Sequence, residues 1–328
     1  MDILSRALIE RQPLLDADPV HLGALRLFNG FIEGLPGLAV DLYADALLLH
    51  NQSQLPRRLD AEINRAFDFY RSRLPWLSAG LLKTRRSPDA EERRGRVLFG
   101  DALPRKVSEH GVWYALDLRL NQDASLYLDT RSLRAWLIAH SAGQRVLNTF
   151  AYTGSLGAAC LAGGARQVLQ LDLNRQFLNL ANETYALNGF AVQRSDLVSA
   201  DFFVYTAQLR RTGALFDLIL LDPPFFSETR GGRVDLVAES ERLVNKIRPL
   251  AAAGGRIVVI NNALFLSGKE FLAGLERLGA DGFLTLEEIV PVAEDFSGFP
   301  STSVGQPPAD PAPFNHSTKI AVLRVKRK

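Results

Sequence analysis

A single cysteine in 328 residues excludes an internal disulfide and any cysteine-built zinc site. That scarcity fits a reducing compartment. Five scattered histidines give no cluster with metal-ligand spacing, so no metal is expected. Long hydrophobic runs are missing too. No window approaches the roughly 18 uninterrupted apolar residues of a membrane span. The opening MDILSRALIERQPLL alternates apolar and charged residues instead of forming the continuous core of a signal peptide. A cytoplasmic protein without membrane contact is the expectation, and the oligomeric state is left open. An excess of one charge is also lacking: 38 Lys and Arg against 36 Asp and Glu leave a net charge of +2. That balance neither demands nor forbids a polyanionic partner, because a local patch matters more than the sum.

Hydrophobic residues make up 47% of the chain, enough for a sizeable core. The length exceeds what one core usually serves, so two domains are expected: a small α+β domain over 1–110 and an α/β domain over 111–328. In the first, a short amphipathic helix ends near Asp16-Ala17-Asp18-Pro19. The text LRLFNGFIEGLPGLAVDLYADALLLHNQ is cut into short strands by Glu33-Gly34-Leu35-Pro36-Gly37 and Tyr43-Ala44-Asp45. Residues 57–74 carry helical spacing, and the mixed-charge stretch 81–99 reads as an exposed hairpin or loop.

From residue 112 the pattern changes. VWYALDL reads as a strand, and a loop leads into a helix starting near Thr130. Strands over 145–150, 167–173, from Val192 to Ser199, 216–224 and 255–263 then alternate with helices over 155–162, 175–188 and 234–250. On the 175–188 helix Phe177, Leu180, Ala181, Tyr185 and Leu187 are expected to face inward. Continuous apolar runs such as FDLILL and RIVVI mean strands buried on both faces. The fold expected is therefore a doubly wound, mostly parallel α/β sheet, Rossmann-like, preceded by the small α+β domain. In such sheets a ligand sits beyond the carboxyl ends of the strands, at the point where strand order reverses.

The informative residues stand at those ends. After 145–150 comes Phe150-Ala151-Tyr152-Thr153-Gly154-Ser155-Leu156-Gly157, whose glycines allow a tight turn and close backbone approach at a helix start. Such a loop can cradle a dinucleotide pyrophosphate or the amino-acid end of S-adenosylmethionine, or simply be a strand-to-helix turn. Asp172 closes the next strand, where a carboxylate can accept hydrogen bonds from ribose hydroxyls or cap a helix. Asp201 and Phe202 follow the strand after that, placed for an adenine amino group and ring, with helix capping as the plain alternative. Asp222-Pro223-Pro224-Phe225 separates the cofactors. Two prolines remove backbone donors and fix the chain as it leaves the sheet, leaving carbonyls, a carboxylate and an aromatic ring to clamp a flat base. A nicotinamide enzyme has no use for that set.

RVLNTFAYTGSLGAACLAGGARQVLQLDLNRQFLNLANETYALNGF followed by FDLILLDPPFFS resembles the class I S-adenosylmethionine-dependent methyltransferases of large-subunit ribosomal RNA. The likeness spans roughly residues 25 to 325 and takes in EGLPGLAVDLYAD and EHGVWYALDLRLNQDASLYLDTR. The group has a cytosine-C5 branch and a guanine-N7 branch. The resemblance implies a site for S-adenosylmethionine at Asp129 to Arg131, Phe150, Tyr152, Thr153, Gly154, Asp172, Asp201 and Asp222. It also implies ribosomal RNA as partner. The cytosine branch opens with an RNA-binding barrel before the hairpin text. Thirty-two residues precede that text here, so RNA binding is expected to fall to the small domain or the core. The cytosine branch further carries a nucleophilic cysteine just past the strand that matches IVVI; this chain has Ile260-Asn261-Asn262-Ala263. Cys160 lies in the apolar helix LGAACLAGG, where packing suits it better than catalysis. The Asn pair resembles the guanine-N7 branch. Methylation of a base nitrogen is therefore favoured, with Asp222, Pro223, Pro224, Phe225 and Asn261 as the substrate-side residues.

Other features have plainer readings. His316 reads as a hydrogen-bonded loop residue leading into the strand KIAVLRV. The stretch 291–316, rich in Pro, Gly and Ser, is either a cover for the substrate side or a connector. Arg85-Arg86, Arg93-Arg94 and the terminal Arg324-Val325-Lys326-Arg327-Lys328 can grip phosphates or stay solvated. The competing readings are a nicotinamide oxidoreductase, a cytosine-C5 methyltransferase, a methyltransferase of a small molecule or protein, and a non-catalytic RNA-binding assembly protein.

Overall fold

The computed structural model describes residues 2–191, 193–237 and 239–326, so Val192, Arg327 and Lys328 lie outside the described residues. The chain divides into two compact units, Met1–Asp129 with Ala293–Gln306, and Thr130–Val292 with Pro307–Lys328. The stretch 111–129, grouped by sequence with the second domain, lies in the first unit.

The first unit runs α1 (Ile3–Asp16), β1 (Ala24–Asn29), α2 (Gly30–Glu33), β2 (Leu38–Tyr43), β3 (Ala46–Asn51), α3 (Asp60–Arg73), β4 (Ala79–Thr84), α4 (Ala90–Arg94), β5 (Arg96–Phe99), β6 (Lys106–Glu109) and β7 (Val112–Ala115). Its five-stranded sheet has the order β1-β2-β3-β4-β5. The β2–β3 pairing closes at Tyr43↔Ala46, so Ala44 and Asp45 form a two-residue hairpin turn with Ala44 at φ +52°. Because α3 crosses over between β3 and β4, these two strands run parallel. Ala66 and Tyr70 of α3 pack with Leu4 and Ala7 of α1 on Leu27, Val40 and Leu47. Of the hairpin or loop expected at 81–99, the hairpin is found: the stretch completes β4, turns through α4 capped by the Asp89 side chain, and returns as β5 antiparallel to β4.

The second unit continues with α5 (Arg131–His140), β8 (Arg145–Thr149), α6 (Ser155–Ala162), β9 (Gln167–Asp172), α7 (Arg175–Leu187), β10 (Leu197–Ser199), α8 (Phe202–Arg211), β11 (Phe216–Leu221), β12 (Phe226–Glu228), β13 (Arg233–Asp235), α9 (Ser240–Ile247), β14 (Ala251–Asn261), α10 (Gly268–Gly279) and β15 (Leu284–Ile289). The chain then contributes α11 (Glu294–Ser297) to the first unit and ends with β16 (Lys319–Val325) in the second. The seven-stranded sheet has the order β10-β9-β8-β11-β14-β16-β15, parallel from β10 to β14, with β16 antiparallel to both neighbours. Its strands are buried on both faces because helices cover them, as their unbroken apolar runs require. The chain winds outward from β8 through β9 to β10, then resumes on the other side with β11 and β14. Strand order therefore reverses between β8 and β11.

Several expected elements are corrected. The segment 226–235, read as loop and helix start, is a β-hairpin, and α9 begins only at Ser240. The strand read as 216–224 stops at Leu221, since Pro223 and Pro224 cannot donate to a ladder. On α7 the buried positions are Leu178, Leu180, Ala181, Thr184 and Tyr185; Phe177 is half-buried and Leu187 is exposed at the helix end. Residues 293–306 pack within the first unit. The Asp295 carboxylate accepts from the Arg26 N–H at 2.9 Å and Thr302 donates to Glu33 at 2.6 Å. Arg26 also stacks its guanidinium 3.9 Å from the Phe296 ring. The segment so occupies polar groups of the edge strand β1. No described helix is long and apolar enough to cross a membrane.

Candidate active site

The carboxyl end of β8 is anchored from its neighbour: the Thr149 hydroxyl donates to the Leu220 carbonyl of β11 at 2.8 Å. The chain then enters a contorted loop. Phe150 and Tyr152 have φ of +53° and +50°, and Gly154 has +74°. A left-handed conformation costs a non-glycine residue about 1–2 kcal/mol, so something must hold these two. Asp172, at the end of the adjacent β9, does part of that work. Its Oδ2 accepts from the Tyr152 N–H and its Oδ1 from the Asn174 N–H, both at 2.8 Å. The carboxyl is half-buried, and desolvation pushes its pKa above the ordinary carboxylate value despite those donors. The Leu173 backbone is a third donor to this carboxylate, which keeps acceptor capacity for one more. The Tyr152 ring meets Phe177 edge-on at 4.6 Å, and Phe150 lies 4.5 Å from Phe202.

Asp201 caps α8, accepting from the Val204 N–H at 3.0 Å, and its other oxygen takes the Thr229 hydroxyl. The β12–β13 hairpin is thereby latched to the acid that ends the β10 segment. Its turn needs Gly231, because a Cβ there would lie 2.1 Å from Asp201 Oδ1. Phe202, expected beside a ligand ring, is 5% exposed and sits in the core with Phe150 over it. The half-buried Phe203 is the ring the hairpin packs on, at Gly232.

Across the switch point, Asp222 is half-buried, Pro223 buried, and Pro224 exposed. Phe225 and Phe226 stand 52% and 53% exposed, and the Arg233 guanidinium lies 5.3 Å from the centroid of the Phe226 ring. At the end of β14, which pairs with β11, the two asparagines separate. Asn261 is wholly buried: its Nδ2 donates to the Leu236 carbonyl at 3.3 Å and its Oδ1 accepts from the Ala263 N–H at 3.0 Å. Its amide shapes the turn from within the core. Asn262 is the exposed amide.

Sequence reasoning missed Lys319. This first residue of β16 pairs with Asn261, is fully buried, and donates to the carbonyls of Ala263 at 3.0 Å and Ser317 at 2.6 Å. Burial lowers its ammonium pKa to about 8. A lysine opening a strand normally signals a solvated end, and nothing local marks this one as internal. Gln170 was missed as well. It is wholly buried beneath the glycine loop and donates to the Gly154 carbonyl at 3.0 Å.

Asp129 closes the first unit and Arg131 opens α5 in the second; both are half-buried. His316 accepts from the Thr318 N–H at 3.0 Å, a local turn contact. Cys160 is fully buried, and desolvation pushes its thiol up to about 12, so no thiolate is available near neutral pH. Arg85 pairs with Asp123 at 2.8 Å and Arg93 donates to the Ser87 and Pro88 carbonyls, so these charges are engaged. Among the described residues no group of three or more His, Cys, Asp or Glu side chains could hold a metal ion.

The model of the S-adenosylmethionine-dependent methyltransferase family matches residues 76–288. The ribosomal RNA large subunit methyltransferase I of Aeromonas salmonicida is 32% identical over 225 residues, which is 67% of this chain and 55% of that protein. The ribosomal RNA large subunit methyltransferase of Deinococcus radiodurans is 29% identical over 254 residues, 75% of this chain and 61% of the relative. The matches thus span little more than half the length of these relatives. Among solved structures, a proposed methyltransferase complexed with SAH superposes with a TM-score of 0.84 at 23% identity, covering 98% of this chain and 80% of that one. The SAM-dependent methyltransferase from Agrobacterium tumefaciens gives 0.60 at 17% identity, covering 89% and 88%. At these identities the likeness is one of fold.

Proposed function

This chain belongs to the S-adenosylmethionine-dependent methyltransferase family, and from that premise we propose that it methylates a base of large-subunit ribosomal RNA, with nitrogen 7 of guanine as the acceptor. The observation that carries the reading is the pairing, on adjacent strand ends, of Asp222-Pro223-Pro224-Phe225 with an exposed Asn262, in a chain whose single cysteine is buried and protonated. The names of the relatives supply the RNA class.

The β8 and β9 ends suit the cofactor. Phe150, Tyr152, Thr153 and Gly154 form the loop that receives its amino-acid end. Asp172 keeps acceptor capacity for a ribose hydroxyl. Asp201 faces the adenine side, and Asp129 and Arg131 complete the set by resemblance. When bound, S-adenosylmethionine supplies a methyl group made electrophilic by its sulfonium.

On the substrate side, Phe225 or Phe226 stacks on the base face, and Asp222 with the Pro223 and Pro224 carbonyls accepts from the N1 and N2 donors of guanine. Asn262 donates to O6 and turns nitrogen 7 toward the methyl group. Nitrogen 7 carries its own lone pair toward the methyl group that bound S-adenosylmethionine would supply. No proton need be removed and no covalent adduct formed, so positioning is the principal demand. Carbon 5 of cytosine would instead require a thiolate, which Cys160 does not offer. The base must be unpaired or flipped out to reach the clamp, which favours a loop or an assembly intermediate over intact duplex.

The test incubates the protein and methyl-labelled cofactor with ribosomal RNA from a strain lacking the gene, then digests the RNA to nucleosides. Label in 7-methylguanosine is expected, and Asp222→Ala should lower the rate by about 10²-fold through lost positioning. Label in 5-methylcytidine would overturn the nitrogen assignment. Label confined to protein or small molecules would overturn RNA as substrate.

A further inference from the structure

We propose that Gln170 is a positioning residue for the cofactor, a buried amide that holds the Gly154–Ser155 peptide from beneath; this rests on the reading that loop 150–154 receives the cofactor. Gln170 lies in β9, fully buried, and its side chain reaches under the start of α6. Its Nε2 donates to the Gly154 carbonyl at 3.0 Å and to the Tyr185 hydroxyl oxygen at 2.5 Å, while its Oε1 accepts from Asn148 Nδ2 at 2.6 Å. The Gly154 carbonyl also accepts the first bond of α6, from the Ala158 N–H at 2.9 Å. The helix thus sets the direction of this peptide, and Gln170 is a second donor that holds it; being planar and trans, the peptide sends the Ser155 N–H away from both donors. A helix start with its N–H groups turned outward is what an anionic group such as a carboxylate prefers.

Two further observations show that the fold is built around this contact. A Cβ on Gly157 would lie 2.1 Å from Gln170 Nε2, and one on Gly154 would lie 2.9 Å from it. The G-x-x-G spacing thus makes room for the glutamine, where the sequence alone suggests room for the ligand. Second, the buried Asn148 Oδ1 has no hydrogen-bond partner. Reversing both amides would satisfy it, but would set Gln170 Oε1 against the Gly154 carbonyl oxygen. The fold accepts an unpaired acceptor to keep a donor under Gly154.

The experiment measures S-adenosylhomocysteine affinity by calorimetry on the full chain, for wild type, Gln170→Leu, Gln170→Glu and Asp172→Ala, with circular dichroism and melting recorded for each. Gln170→Leu should raise Kd about tenfold, the loss expected for one hydrogen bond. Gln170→Glu provides a readout that packing alone would not move. As a neutral acid it can still donate to the Gly154 carbonyl; once ionised it presents an oxygen there. Its Kd should therefore rise about tenfold beyond any wild-type change between about pH 5.5 and 8.5. If Gln170→Leu does not fold, the pH profile of Gln170→Glu decides. Variants that fold and bind like wild type at both pH values would overturn the proposal. So would an affinity loss that merely follows loss of folded protein. A wild type that does not bind, or an Asp172→Ala variant that binds unchanged, would instead count against the cofactor reading beneath it.

Discussion

At the scale of single residues, Asp172 serves the fold and the proposed cofactor site with the same carboxylate. It accepts from Tyr152 and Asn174 within the chain, which holds the strained loop and leaves acceptor capacity for ribose. Asp172→Ala should weaken S-adenosylmethionine binding by about 1.5–3 kcal/mol, the range for hydrogen bonds to a charged group. Calorimetry on a variant with intact circular dichroism checks this, and unchanged affinity would place the ribose contact elsewhere. Cys160 is the opposite case, a residue whose chemistry is suppressed by burial. Cys160→Ser should leave turnover within about twofold of wild type, with only a packing cost. Trapping of the wild type, but not the Ser variant, on RNA containing 5-fluorocytosine would reveal a nucleophile after all.

At the scale of elements, the β12–β13 hairpin joins two strand ends. It begins directly after Asp222-Pro223-Pro224-Phe225 and is fastened to Asp201 through Thr229. Its glycine turn leaves no room for a side chain at Gly231, where a Cβ would meet Asp201 Oδ1 at 2.1 Å. Gly231→Ala should therefore displace the hairpin and with it Phe225 and Phe226. The expected result is a fall in kcat of about tenfold or more with little change in melting temperature, since the turn is exposed and the misplacement acts on geometry. A variant with full turnover would mean the hairpin has no part in holding the substrate.

At the scale of the whole molecule, each unit carries one deeply buried lysine among the described residues. Lys83 donates to the carbonyls of Asn121 at 2.7 Å and Asp123 at 3.0 Å in the first unit, as Lys319 does in the second. Burial lowers both from the ordinary 10.5 to about 8. Between those values the unfolded chain binds more protons than the folded one, so stability should rise with pH from about 8 toward 10. Below 8 the cost of burying both charges is fully present. The buried phenols of Tyr70 and Tyr185 have raised pKa values and oppose the trend once pH passes their ordinary 10.0. Urea midpoints at several pH values from 7.5 to 9.5 should climb in wild type and less steeply in Lys319→Met. Equal slopes would show that Lys319 keeps its ordinary pKa.

What the sequence by itself determined is what neighbouring residues encode. The apolar runs of β8, β9, β11 and β14 specify strands covered on both faces, and acids or glycines stand just after them at the carboxyl edge. The Asp-Pro-Pro-Phe segment was legible because two prolines end a strand wherever it lies. Tertiary structure decided what depends on partners far along the chain. Asn261 and Asn262 are adjacent in sequence, yet only the register of β14 and the approach of Leu236 turn one amide inward and leave the other exposed. Residues 293–306 join the first unit because buried Glu33 and the backbone of β1 take their hydrogen bonds more than 250 positions away in the chain. Gln170 and Lys319 read as ordinary polar residues in strands; the neighbouring glycine loop and the turn after β14 give their donors carbonyls to hold, and no local pattern records that. Periodicity is a property of a segment, whereas a buried polar contact is a property of the order in which strands lie side by side.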